Sequence, residues 1–105
     1  MNNNPIGLFD SGVGGTSIWK EIHQLLPYEN TIYLADSLNA PYGNKSKEEI
    51  TSLSVKNTEL LLENNLLREP SNQSIIQFIT NSSDITLKHL LKKYLEKVDI
   101  ETRKF

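Results

Sequence analysis

Residues 6–16 read Ile6-Gly7-Leu8-Phe9-Asp10-Ser11-Gly12-Val13-Gly14-Gly15-Thr16, and the fold class follows from how this stretch changes character along its length. Residues 6–9 form a short apolar run between Pro5 and Asp10, the signature of a buried strand. A glycine-rich turn follows. From there Ile18, Ile22, Leu25 and Leu26 recur at helical spacing until Pro27 stops the pattern. A strand that feeds a tight turn and then a helix is the opening of an α/β unit. Amide groups exposed at such a helix N-terminus favour an anion. The turn is not a P-loop, because no Gly-Lys-Ser/Thr closes it. It also fails Gly-x-Gly-x-x-Gly, because Ser17 occupies the last position counted from Gly12. Asp10 beside the turn speaks against a phosphate and for a ligand that presents an ammonium group or a proton to move.

Working outward, Thr31-Ile32-Tyr33-Leu34-Ala35 is a second strand, closed by Asp36, and a polar loop runs over residues 37–45. Ser46-Lys47-Glu48-Glu49 is a capping box. Behind it Ile50, Leu53, Leu60 and Leu61 share one face of a long helix, with Asn57 interrupting the stripe. Residues 68–73 read as a loop and residues 74–80 as a third strand. Asn81-Ser82-Ser83-Asp84 offers N-caps for a last helix whose apolar face is Leu87, Leu90, Leu91, Tyr94 and Leu95. Alternating strands and helices predict an α/β fold with a mainly parallel sheet flanked by helices and right-handed crossovers. The ligand site is then expected beyond the carboxyl ends of the strands, where Asp10-Ser11 and Asp36-Ser37 both fall.

At 105 residues the chain holds one domain at most, and a chain this short buries only about two-thirds of its unfolded surface. The net charge of −2, with acids and bases interspersed, excludes a broad nucleic-acid face. Lys88, Lys92, Lys93 and Lys97 read as the solvated side of the last helix. The N-terminus has no secretory signal, and no run approaches the ~20 apolar residues that span a bilayer, so no membrane partner is expected and the cytoplasm is the default location. The chain has no cysteine, which excludes disulfides, thiolate metal ligands and thiol nucleophiles together.

Beyond the turn, the segment Pro5-Ile6-Gly7-Leu8-Phe9-Asp10-Ser11-Gly12-Val13-Gly14-Gly15 resembles the opening of glutamate racemases. Ala35-Asp36-Ser37, Ala40-Pro41-Tyr42-Gly43 and Lys45-Ser46 continue the likeness in order over residues 5–62. The resemblance implies cofactor-independent interconversion of L- and D-glutamate, an isomerase activity that supplies D-glutamate for peptidoglycan and so for cell-wall biogenesis and cell shape. It implies substrate contacts from Asp10, Ser11, Tyr42 and Gly43, with Asp10 supporting proton transfer. It also implies two catalytic cysteines, each in an Asn-Thr or Thr-His setting, and this chain has neither. The strand expected to carry the first cysteine is missing past Leu62, where Leu66-Leu67-Arg68-Glu69-Pro70 stands. Residues 77–84 with the helix after them are similar to the family's last strand and helix. On this reading residues 1–66 are the N-terminal segment with a substrate half-site, and residues 67–105 are a carboxyl-terminal strand and helix of the same lobe. Together they make a partial first lobe of a two-lobed fold, joined by an internal deletion.

Other groups are poor substitutes for the thiols. His23 and His89 lie in predicted helices without a companion at metal-ligand spacing, so surface placement is expected for both and no metal is implied. Asp10 and Asp36 would form a carboxylate pair if adjacent strands bring them together, but ordinary carboxylates are weak bases for an amino-acid α-proton. Nothing marks Lys45 as a buried, activated lysine, and Trp19 and Tyr33 read as core or lobe-interface residues. The expectation is a racemase-like chain without independent activity that binds glutamate weakly. It would pair with itself or with a full-length racemase through the strand edge and apolar surface left uncovered. The alternatives are a non-catalytic binding or dimerising module and a decayed gene product.

Overall fold

The computed structural model describes residues 5–67 and 76–105. Four strands, β1 (Ile6–Asp10), β2 (Thr31–Ala35), β3 (Ile76–Thr80) and β4 (Asp99–Thr102), form one all-parallel sheet in the order β1-β2-β3-β4. The helices are α1 (Thr16–Leu25), α2 (Lys47–Leu67) and α3 (Ile85–Leu90), with short 3-10 turns at Ser37–Asn39, Tyr42–Asn44 and Lys92–Tyr94. The expected α/β class is the one observed. No helix among the described residues is long and apolar enough to cross a membrane.

Strand alternation sorts the core into two layers. Tyr33 and Ala35 of β2, with Ile76 and Phe78 of β3, turn to one face and pack with Trp19 of α1 and with Leu87 and Leu91 at α3. Ile32, Leu34 and Ile79 turn to the other, against Leu60 and Leu61 of α2 and against Phe105. β2 is buried at all five positions because strands flank it and helices cover it. Trp19 is the hub of the first layer. Its ring meets Phe78 and Tyr94 edge-on, at centroid distances of 4.9 and 5.2 Å, and its Nε1 donates to Thr31 Oγ1 at 3.0 Å.

Four expectations change. The strand candidate at residues 74–80 is present from Ile76, and it holds the place beside β2, so the sheet is not short of a strand there. The loop read at residues 68–73 and the first two residues of that candidate lie outside the described residues. The last helix is shorter than its apolar spacing suggests. It ends at Leu90 and passes through the 3-10 turn into β4, leaving Leu95 exposed. β4 itself escaped the sequence reading because Ile100 is its one apolar residue. Pairing with Thr80, an Arg103 amide bond to the Thr80 carbonyl at 2.9 Å and a Gln77–Glu101 side-chain bond at 3.0 Å hold it in place. Finally, the strand order advances in one direction while α1 and α3 cover one face and α2 the other, so the crossovers cannot all be right-handed.

Candidate functional site

The carboxyl ends of β1, β2 and β3 lie side by side, so Asp10, Asp36 and Asn81 emerge at one edge of the sheet. Asp10 closes β1, and its carboxylate folds back over the glycine turn. Oδ1 accepts the Ser11 amide at 2.7 Å and Oδ2 accepts the Gly15 amide at 2.7 Å. The anion expected at the start of α1 is therefore supplied by the chain itself. No glycine in the described structure has a positive φ, so the turn does not need glycine for its backbone angles. Space is the requirement, and at Gly15 alone within the turn it is severe. A Cβ there would stand 2.6 Å from the Tyr33 hydroxyl and 2.9 Å from Asp10 Oδ2. Burial, followed by the neighbouring Asp10 charge, raises the Tyr33 pKa well above its ordinary value.

Asp36 follows β2 and is 1% exposed. Four donors converge on it. Asn81 Nδ2 and Asn39 Nδ2 donate to Oδ1 at 2.7 and 2.8 Å, the Tyr42 hydroxyl donates a short bond to Oδ2, and Asn57 Nδ2 approaches Oδ2 at 3.5 Å. Burial by itself would raise the Asp36 pKa, but the bonds from Tyr42, Asn39, Asn81 and Asn57 outweigh it and hold the carboxyl below its ordinary value. Tyr42 is pushed up to about 12 by burial and by its bond to Asp36, and its oxygen accepts from Asn57 Nδ2 at 2.9 Å. Asn81 Oδ1 accepts the Leu38 amide at 3.0 Å and so ties the β2 loop to the end of β3.

The two carboxylates do not form a pair. Asp36 donates its amide to the Asp10 carbonyl at 2.9 Å, so the backbones touch. Their side chains diverge because Asp10 is in register with Ala35, one residue before Asp36. Asp10 turns to the α1 face and bonds the α1 turn, while Asp36 turns to the α2 face and meets Asn57. Of the four residues singled out from sequence, Asp10, Ser11 and Tyr42 gather at these strand ends. Gly43 sits in the 3-10 turn beside Tyr42 and is exposed.

Asn57 and Asn81 went unrecognised as site residues. The break in the α2 stripe was the signal for Asn57, whose Oδ1 is buried without a hydrogen-bond partner. Asn81 reads as a helix cap from sequence, yet Asp84 is the N-cap of α3. The serine half of the capping box at α2 is formed, with the Glu49 amide bonded to Ser46 Oγ at 3.1 Å, and the Ser46 hydroxyl donates to Glu49 Oε1 at 3.3 Å. His89 is exposed as expected, and His23 is half-buried. Its ring stacks on Trp19 at 5.1 Å, its Nδ1 is buried, and burial followed by the Lys97 charge lowers its pKa. It lies four residues after Trp19 on α1, on the same side of the helix.

The polar groups of this arrangement bond chiefly to one another. The arrangement offers little for moving a proton near neutrality, since Asp36 is held low while Tyr33 and Tyr42 are held high. Among the described residues no group of three or more His, Asp or Glu side chains is placed to hold a metal ion.

No family model matches the chain. It is 42% identical over 94 residues to a protein of Clostridium acetobutylicum named glutamate racemase, a match covering 90% of this chain and 34% of that protein. Glutamate racemases of Clostridium botulinum strain Alaska E43 and Herpetosiphon aurantiacus are 56% and 54% identical over 64 and 63 residues, covering 61% and 60% of this chain and 25% of each relative. The chain thus spans about a third of the length of the first of these relatives. Any 94-residue match within 105 residues takes in residues 12–94, so β3 and α3 belong to the matched stretch.

Proposed function

From its similarity to glutamate racemases over about a third of a relative's length, we propose that this chain is one substrate-binding lobe, able to hold glutamate weakly and unable to racemise it alone. The observation that carries this reading is the pair of formed strand-end clusters, Asp10 with its glycine turn and Asp36 with Tyr42, on neighbouring strands. Inverting an α-carbon needs an acid and a base on its two faces, each titrating near the working pH. The relatives' name supports this isomerase chemistry and, through it, D-glutamate supply for peptidoglycan in the cytoplasm. The chain has the motif residues Asp10, Ser11, Tyr42 and Gly43 and no thiol.

Residues 76–102 are best taken as continuing the same lobe. A match amounting to a third of a relative is what a continuous first lobe gives, and we adopt it over a front joined to a distant back. On that reading the strand after α2 is the one on which the family carries a thiol before Asn-Thr. Here it ends Thr80-Asn81-Ser82, so Thr80, fully buried, stands in the thiol's place. A hydroxyl without an adjacent base is a poor proton carrier at neutral pH.

Incubated with L-glutamate in heavy water, the purified chain is expected to exchange no α-proton above a protein-free control. In the same samples glutamate should shift the amides of residues 11–15 and 42–44, with an affinity no tighter than about millimolar, near 4 kcal/mol. Exchange above control overturns the inactive reading, and shifts absent from both segments remove the binding reading.

A second reading concerns partners. β1 is an edge strand with Phe9 exposed on it, and Val55 and Leu62 are exposed on α2. Edges and patches of this kind recruit another chain. We propose pairing of the chain with itself or with a full-length racemase. Sedimentation and thermal unfolding over a range of concentrations should show association and a midpoint that rises with concentration. A monomer with a fixed midpoint, unchanged by added racemase, refutes it.

A further inference from the structure

A cavity of about 390 Å³ lies away from the strand ends and shares no residue with the clusters there. Lys20 of α1 forms one side of it. His89 and Leu90 of α3 and Lys92, Lys93 and Tyr94 of the following turn form the rest. Three lysines thus line one opening in a chain whose net charge is −2.

Their placement follows from the fold. Leu87 and Leu91 are fully buried in the layer built around Trp19, and this anchors α3 against the sheet. The helix then ends and tightens, with the Tyr94 amide donating to the Leu91 carbonyl at 2.7 Å. Tyr94 packs its ring on Trp19 of α1, which brings the turn carrying Lys92 and Lys93 up to the helix that carries Lys20. Among the described residues no carboxylate lines the cavity. The ion pairs among the described residues, Lys88 with Asp84 and Arg103 with Glu101, involve none of these three lysines. Like charges held together without a counter-charge favour a bound anion. A single surface pair contributes little, but several lysines around one concave site act on the same ligand.

We propose that this cavity is an anion site for a phosphate-bearing small molecule, a diphosphate or phosphate ester. The lysines take the phosphate oxygens, and Tyr94, Leu90 and His89 supply contact for an organic portion. Lysine suits this role as a compact charge with three donors. The cavity is distinct from the glutamate site, and the proposal stands whether or not the chain binds glutamate.

Titrations of the whole chain with inorganic phosphate, pyrophosphate, ADP and L-glutamate, at a fixed ionic strength of about 0.15 M and followed by amide shifts, test the proposal. Pyrophosphate and ADP are expected to saturate, with shifts confined to Lys20 and residues 89–94. ADP should add shifts at the Tyr94 ring, and inorganic phosphate should bind more weakly. Lys20→Gln, Lys92→Gln and Lys93→Gln should each weaken pyrophosphate about three- to fivefold, while Lys56→Gln on α2 should leave it unchanged. These are surface substitutions, and an unaltered spectrum of the free variant verifies its fold. Shifts that fail to saturate, that spread evenly over Lys88, Lys97 and Lys104, or that survive all three substitutions overturn the site. Glutamate binding there as tightly as pyrophosphate overturns the phosphate assignment.

Discussion

Trp19→Ala is expected to remove about 3–5 kcal/mol of folding stability, the range for truncating a large buried aromatic side chain. Trp19 is fully buried and joins both sequence halves of the core. It contacts Phe78 of β3, Tyr94 of the turn after α3 and His23 on its own helix, and it donates to Thr31 at the start of β2. Removing it opens a cavity that none of these neighbours can fill without leaving its own position. It also strands the Thr31 hydroxyl, which is itself 1% exposed. A domain of this length has roughly 5–15 kcal/mol in total, so the variant should unfold at a much lower denaturant concentration. Urea unfolding followed by circular dichroism measures the change. A loss below about 1 kcal/mol, of the order of an exposed substitution, would show that α1 and the segment after β3 do not share a core.

The second large effect is expected at Asp36. Asp36→Asn preserves the shape but turns an acceptor of four bonds into a group with an amino end facing the amides of Asn39, Asn57 and Asn81 and the Tyr42 hydroxyl. Breaking a buried charged network in this way costs about 3 kcal/mol or more. The wild-type chain should show the matching pH dependence. Because the folded pKa of Asp36 lies below its ordinary value of 3.8, its contribution is fully present above that value and is lost as pH falls through the lower folded pKa. The acid limb of a stability–pH curve should therefore be shallower in Asp36→Asn than in wild type. Parallel limbs would show that the carboxylate gains nothing from its four donors.

Much of the architecture was legible because local signals agreed. β1, the turn and α1 could be read from one stretch, since an apolar run, a glycine cluster and helical spacing follow each other without overlap. The same is true of β2 and of the Ser46–Glu49 cap. β4 was not legible, because an edge strand with one apolar side chain has no period to detect. The site was legible in its ends but not in its middle. Asp10, Ser11 and Tyr42 sit in motifs, whereas Asn57 and Asn81 acquire their roles through partners 21 and 45 residues away at Asp36. Pairing at such separations follows from sheet order, which local sequence does not encode. His23 shows the reverse case. Its contact with Trp19 is local, at i,i+4, and could have been read from the helix alone.

The self-bonded turn at Asp10 carries a wider consequence. The Ser11 and Gly15 amides are satisfied by a side chain five residues or fewer away, so the turn needs no ligand to hold its shape. Natural selection for a folded first helix is enough to keep Asp10 and Gly15 in place, whatever becomes of turnover. A folding requirement alone would therefore hold this motif, and its presence in a chain does not by itself carry the chemistry that the motif usually accompanies.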